Sequence, residues 1–562
     1  MPSFEPCFTP FKASIDAYTV PARFTFPFCY QPDPLSALAA QELQDFLVSK
    51  PDWQHDFGSE NDKADGGKMF GVLVVKNNQG ELGYLSAFSG KIGDKNLIEG
   101  FVPPVFDMLK SDGFFLNEGI EINELNAEIK ELEANPEFNT LALQLDSIAK
   151  AADLAIESHR NMMIESRALR KAQRAEGKAS LQPEQLEQLI LDLGKQSVSE
   201  KNQLKTLKQQ KELEISKVQA KLDELSTQLH QLKEKRKSLS NALQKKLFSQ
   251  YQFLNKSGEH KSLLDIFADT ANPIPPAGSG ECAAPKLLHY AFEHKLEPIC
   301  MAEFWWGASP KSEIRKHKHY YPACQSKCHP ILGHMLAGME LDDNPLLQNQ
   351  ASNKEIEILY QDEAMVIVNK PSGLLSVPGK HISDSAFTRL QALYPDAEGP
   401  FVIHRLDMAT SGLLVFALTR RANKSLQKQF ISRTVKKRYV AIIEGALASD
   451  EGDISLPLRG DINDRPRQLV CHKHGKPAHT RWQVIESKDN RTKLYLYPVT
   501  GRTHQLRVHC AHIEGLNMPI VGDDLYGTHA DRLHLHAETL EILHPYSKQP
   551  MRVQVDAPFK LD

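Results

Sequence analysis

The stretch FVIHRLDMATSG (Phe401–Gly412) sets Arg405 and Asp407 where a short apolar run leaves the interior. Opposite charges two residues apart at such a place form a structural ion pair, or they hold an ionised carboxylate still for chemistry. A partly buried carboxylate needs a cation beside it, because desolvation otherwise favours its neutral form. Arg405 would share a face with Asp407 in an extended chain; Arg502 or Arg507 could meet it in space instead. Two further stretches supply matching residue types. VKKRYVAII (Val435–Ile443) puts Tyr439 at the start of a strand behind Lys436, Lys437 and Arg438. LYLYPVTGRTHQLRVH (Leu494–His509) carries Arg502 after a glycine turn and Arg507 on the strand-like segment behind it, with His504, His509 and His512 nearby. A single prominent Asp among Arg, His and Tyr differs from the paired carboxylates of glycosidases.

The elements around Asp407 explain how it could be held. IEILYQ and AMVIVNK read as two strands separated by a polar turn at Asp362–Glu363, followed by a Pro- and Gly-pinned loop, PSGLLSVPG. Phe401–Ile403 reads as another short strand, GLLVFAL (Gly412–Leu418) returns to the core, and Arg421–Ile431 reads as a surface helix. Asp407 is therefore expected on a loop fixed from both sides.

In combination these stretches resemble the RluA family of pseudouridine synthases. HRLDMATSG (His404–Gly412) is similar to the family's central motif and NKPSGLLSVPG (Asn369–Gly379) to its leading one. KKRYVA, TGRTHQLRVH, PIVGDDLYG (Pro519–Gly527) and LHLHAETLEILHP follow in the family's order over the segment from Ile356 to the end. The resemblance implies uridine isomerisation in RNA without cofactor or metal. It implies Asp407 as the essential aspartate, Tyr439 as the tyrosine beneath the target base and Arg507 as the partner of the aspartate. Arg405 would occupy the space left by the extruded base, with Arg502, His504, Lys436 and Lys437 as further RNA contacts. The expected partner is structured RNA, first large-subunit ribosomal RNA and then transfer RNA. The alternative is a catalytically inactive protein that binds structured RNA.

The rest of the 562-residue chain is too long for one core. The formal net charge is −4, but from Ala351 onward 28 Lys and Arg face 24 Asp and Glu, leaving 39 against 47 before it. A basic carboxy-terminal part permits a polyanionic partner. No secretory signal or membrane-length apolar run is legible, and eight cysteines in so long a chain do not suggest a disulfide scaffold, so a cytoplasmic location is expected.

The expected fold is α+β. A small mixed domain over 1–120 precedes a coiled-coil helical hairpin over 121–255. A Cys/His-rich connecting segment over 256–350 leads to a mostly antiparallel-sheet catalytic domain over 351–562. Within the first part, Lys68–Ile92 reads as two strands turning at Asn77–Gly80. Ile215, Val218, Leu222, Leu225, Leu229 and Leu232 follow the four-and-three spacing of a coiled-coil seam. The seam fits a hairpin packed on itself or an intermolecular coiled coil. Gly177 marks an expected break and Ser180 an expected cap for the next helix. Cys282, Cys300, Cys324 and Cys328, with His317, His319, His329 and His334, contain enough donors for zinc. The loose Cys324-x3-Cys328 spacing, with no matching second pair, instead favours packing or turn roles. Trp305 and Trp306 cannot share a strand face, so at least one is expected in the core.

Overall fold

The computed structural model describes residues 7–561 apart from 29–30, 50–52, 54, 59–65, 271, 311–312, 346–350 and 463. Part of the amino-terminal stretch inspected for a leader thus lies outside the described residues. The first elements are β1 (Thr9–Pro10), α1 (Pro34–Ser49), β2 (Lys68–Lys76) and β3 (Leu82–Phe88). KMFGVLVVK and LGYLSAF pair antiparallel through the expected turn. Asn77 shapes that turn by accepting the Gln79 and Glu81 N–H groups, and Gly80 takes the positive φ that the turn requires.

Residues 108–247 form a separate unit of helices. α2 (Phe114–Glu133), α3 (Pro136–Ser180) and α4 (Pro183–Gln250) follow one another with very short connections. Asn135 caps α3 by accepting the Glu137 N–H, and Pro136 opens it. The hairpin begins earlier than position 121 and divides at 134–135, a break not expected from the sequence. Its seam residues are half-buried. Ion pairs tie α4 back to the earlier helices: Lys235 to Glu121 at 2.8 Å, Lys233 to Glu133 at 2.7 Å, and Arg170 to Glu200. Two local expectations fail. Gly177 lies inside α3, where an added Cβ would come 2.6 Å from Leu189 Cδ2, so glycine permits close helix approach. Ser180 donates back to the Glu176 carbonyl and finishes α3; it does not cap α4.

After the insertion come β4 (Gln252–Leu254), β5 (His260–Ser262), α5 (Leu263–Ala268), α6 (Ala283–Glu293), β6 (Glu297–Trp306) and α7 (Cys328–Met335). β6 pairs antiparallel with β2, giving the sheet order β1-β3-β2-β6. The connecting segment expected over 256–350 is therefore not a separate region; it completes the amino-terminal sheet. The physical reason is apolar content: ICMAEF (Ile299–Phe304) is buried and supplies a strand that pairs with the equally buried β2. Trp306 is in the core, and Trp305 donates its indole N–H to the Ala308 carbonyl. Phe106 and Tyr251, just outside the helical unit, approach with ring centroids 5.8 Å apart.

The carboxy-terminal elements are β7 (Glu357–Gln361), β8 (Met365–Lys370), α8 (Ala386–Leu393), β9 (Phe401–Val402), β10 (Ser411–Ala417) and α9 (Arg420–Ile431). They continue with β11 (Lys436–Glu444), β12 (Glu451–Ser455), β13 (Leu458–Gly460), β14 (Gln468–Val470), β15 (His479–Lys488) and β16 (Arg491–Pro498). α10 (Gln505–Ala511), β17 (Leu535–Leu543) and β18 (Pro550–Gln554) complete the chain. The main sheet runs β12-β15-β16-β11-β17-β10-β8-β7, with β18 on β17 and β9 on β10. Its pairings are antiparallel except β10 with β17, which is parallel. At that junction Gly412 has φ +111°, and a Cβ would come 2.3 Å from the Ala537 carbonyl oxygen. Only glycine fits there.

The sheet part and the catalytic part share a buried seam. Ile314 packs into the catalytic core, and Arg315 reaches Asp464 at 3.3 Å, where Arg467 also pairs at 3.1 Å. No helix among the described residues is long and apolar enough to cross a membrane.

Candidate active site

The loop that carries Asp407 leaves β9 and enters β10, and the leading motif braces it on both sides. Ser376 Oγ donates to the Leu406 carbonyl and accepts the Leu406 N–H. Gly373 N–H binds the Met408 carbonyl, and Ser372 Oγ donates to the Ala409 carbonyl. Lys370, fully buried, sends its Nζ to the carbonyls of Pro371, Leu374 and Met408. Three acceptors match the three N–H bonds of an ammonium. Burial pushes the Lys370 pKa down to about 7, with Asp407 acting in the opposite direction. These contacts settle the backbone of residues 406–409 before any ligand arrives.

Arg507 lies on α10, a short fully buried helix, and not on a strand as its alternating neighbours suggested. It forms a bidentate pair with Asp523, Nε to Oδ2 at 2.8 Å and Nη2 to Oδ1 at 2.6 Å. Its Nη1 is 3.9 Å from Asp407 Oδ2. The strong pair is thus with Asp523, and Asp407 occupies the open side of the guanidinium. Burial disfavours the Arg507 cation, but Asp523 and then Asp407 hold its pKa above the ordinary value. Burial likewise opposes charge on Asp523, while Arg507 and the N–H groups of Leu525 and Tyr526 hold its pKa low.

The remaining residues surround a cleft of about 780 Å³ lined by Arg405, Asp407, Lys437, Tyr439, Arg502, His504 and Arg507. Tyr439 enters it from β11 at a bulge between Arg438 and Tyr439 in the pairing with β17. Burial, then the Asp407 charge, raises its phenol pKa. Arg405 is exposed at the cleft and has no ion pair among the described residues, so its side chain is not the Asp407 counter-ion. Lys437 is half-buried, whereas exposed Lys436 faces Glu541 at 3.6 Å and does not line the cleft. Arg502 donates to the Pro477 carbonyl, and Gln505 pins its loop by accepting the Arg502 N–H and the Thr500 hydroxyl. His504, at φ +51°, is bonded to Tyr526; burial, with Arg507, lowers its pKa to about 4. His509 is buried against the Leu456 carbonyl, away from the cleft lining.

Sequence reasoning missed Asp523, Lys370 and Ser376. Each stands within a quoted motif, and for Lys370 and Asp523 the charge inside an apolar stretch was the available signal. The constellation offers a braced carboxylate, an aromatic face, a fixed guanidinium beside the carboxylate and cations at the opening. It can handle a flat polar ring attached to an anionic chain.

Comparison with known proteins bears on the part of the chain that carries this cleft. Residues 364–512 match the family described as RNA pseudouridylate synthase. The chain is 49% identical over 210 residues to the Dual-specificity RNA pseudouridine synthase RluA of Salmonella typhi, covering 36% of this chain and 93% of that protein. The like-named proteins of Yersinia pestis and Escherichia coli K12 are each 48% identical over 210 residues, covering 99% and 93% of their lengths.

Proposed function

This chain belongs to the RluA family of RNA pseudouridine synthases, and on that premise we propose that it isomerises a loop uridine of large-subunit ribosomal RNA, with a transfer-RNA anticodon stem–loop as second substrate. The observation that carries the reading is the shared cleft in which Asp407 lies beside Arg507 and Tyr439 joins them in the lining. Support for two substrates comes from the dual specificity printed in the names of relatives that match nearly end to end. A loop uridine also costs less to extrude than a paired one.

In the reaction the N1–C1′ bond breaks, the uracil turns while bound, and a C5–C1′ bond forms. N1 gains a proton and C5 loses one, so no atom or electron is supplied from outside. Arg405, exposed at the cleft, fills the gap in the stack and meets phosphate. Asp407 acts on the ribose, either as nucleophile at C1′ or as the base that takes the 2′ proton. Both routes need its carboxylate free of a tight partner. That is the consequence of Asp523 taking the bidentate face of Arg507. Tyr439 offers its ring to the uracil and its oxygen to the late proton removal at C5.

Transcript-wide pseudouridine mapping in cells with and without the gene tests the substrates, followed by modification of the missing site in vitro. The expected losses are one ribosomal loop site and one anticodon-stem–loop site. A loss confined to another RNA class would overturn the substrate assignment while leaving the chemistry intact.

A further inference from the structure

We propose that Cys282, Cys324 and Cys328 hold a zinc ion in the amino-terminal sheet domain, with water at the fourth corner. Their sulfurs all lie within 4.8 Å of one another, and Cys324 Sγ and Cys328 Sγ are 3.5 Å apart. A tetrahedral zinc with Zn–S bonds of about 2.3 Å holds its thiolates roughly 3.8 Å from one another. The 3.5 Å separation lies just below that value, and the 4.8 Å limit on the others includes it. A disulfide would require two of the sulfurs at about 2.05 Å and would leave the third without a role.

The surroundings also suit thiolates. Cys282 is the N-cap of α6 and Cys328 is the first residue of α7, so two helix N-termini converge on the cluster. The other buried cysteines contrast with these. Cys7 donates to the Phe101 carbonyl and Cys300 lies 3.8 Å from an Asp33 oxygen, each as a single thiol. Cys282 and Cys324 are half-buried, which leaves solvent a path to the open corner.

The site would fasten a particular piece of chain. Cys324 follows the segment whose Ile314 and Arg315 dock on the catalytic part. Zinc would join the start of α6, the end of that segment and the start of α7. This is a fastening role, separate from the cleft.

Elemental analysis of the full-length protein, purified without chelator, should find about one zinc per chain. Cys324→Ser should lose nearly all of it, whereas Cys300→Ser should keep it. Should Cys324→Ser fail to fold, cobalt exchange into the unaltered protein gives an independent reading. The expected result is an intense sulfur-to-cobalt charge-transfer band with tetrahedral d–d transitions. Three freely titrating thiols without metal, a Cys324–Cys328 disulfide by mass, copper or iron in place of zinc, or full zinc in a folded Cys324→Ser protein would each overturn the assignment.

Discussion

The cleft and the cysteine cluster both gather reactive side chains from separated stretches, yet they are assembled by different means. In the cleft, each contributor arrives inside a motif and is supported by that motif or by another: TGRTHQL pins its own loop through Gln505, and NKPSGLLS braces HRLD. In the cluster, Cys282 is 42 positions before Cys324, and the two meet because β6 pairs with β2 while α6 and α7 pack nearby. Chemistry encoded in local motifs can be read along the chain. Chemistry encoded in strand pairing becomes visible only after folding.

The difference can be broken most directly at Asp407. Asp407→Asn should lower tritium release from C5-labelled uridine in RNA by about a thousandfold or more, as removal of a group that acts only in the reaction does. Folding and RNA binding should persist, because Asp407 is half-exposed and its loop is held by backbone contacts. Near-normal release from a folded variant would sink the catalytic assignment.

Asp523→Ala comes next, since it strands a buried guanidinium; the expected loss is about 3–5 kcal/mol of stability in denaturant titration. Arg507→Met should lower single-turnover rates at saturating RNA by about a hundredfold, and Arg502→Met by less than about tenfold. Equal rates for the two arginine variants would undo the ranking.

Acid should probe several sites of the catalytic part at once. Burial lowers the pKa of His404 to about 3, and those of His504, His509 and His536 to about 4. The unfolded chain binds these protons near pH 6.5 and the folded one does not, so stability rises with pH through this window and falls as pH drops from about 6.5 to 4. At pH 5.5 each histidine should cost about 1.4 kcal/mol relative to high pH. Thermal melts across the window check the sign; a melting temperature that rises on acidification contradicts it.

The smallest effect on chemistry is expected from the cluster. Removing the proposed zinc should lower the melting temperature while single-turnover rates stay within about threefold. A collapse of turnover in still-folded protein would make the two regions one functional unit.

Much of the catalytic sheet was legible because its strands are apolar runs bounded by turn residues, and the motif order located Asp407 and Tyr439. Arg507 was placed on a strand because QLRVHCA alternates over so few residues that a short buried helix fits equally well. Asp523 escaped notice because Asp523 and Asp524 are adjacent and identical in type, and only burial separates them: Asp523 is inaccessible, whereas Asp524 is exposed. Cys300 was grouped with the other cysteines by composition, but the β6 register points it toward Asp33. Lys436 and Lys437 divided in the same way, one to solvent and one to the cleft, as neighbours on a strand must.

The pairing of β2 with β6 has a temporal side. During synthesis, β2 emerges with β3 on one edge and nothing on the other, and its partner is made only after more than about 200 further residues. The helical unit in between closes only when the end of α4 meets α2, as in Lys235 with Glu121, but all of it precedes β6 in the chain. The inserted piece therefore matures before the domain that contains it, and the nascent β2 edge must be shielded from other chains for that interval. With Phe106 and Tyr251 adjacent at the insertion point, a chain in which residues 108–247 are replaced by a short flexible linker should close the sheet sooner after synthesis begins and aggregate less during translation.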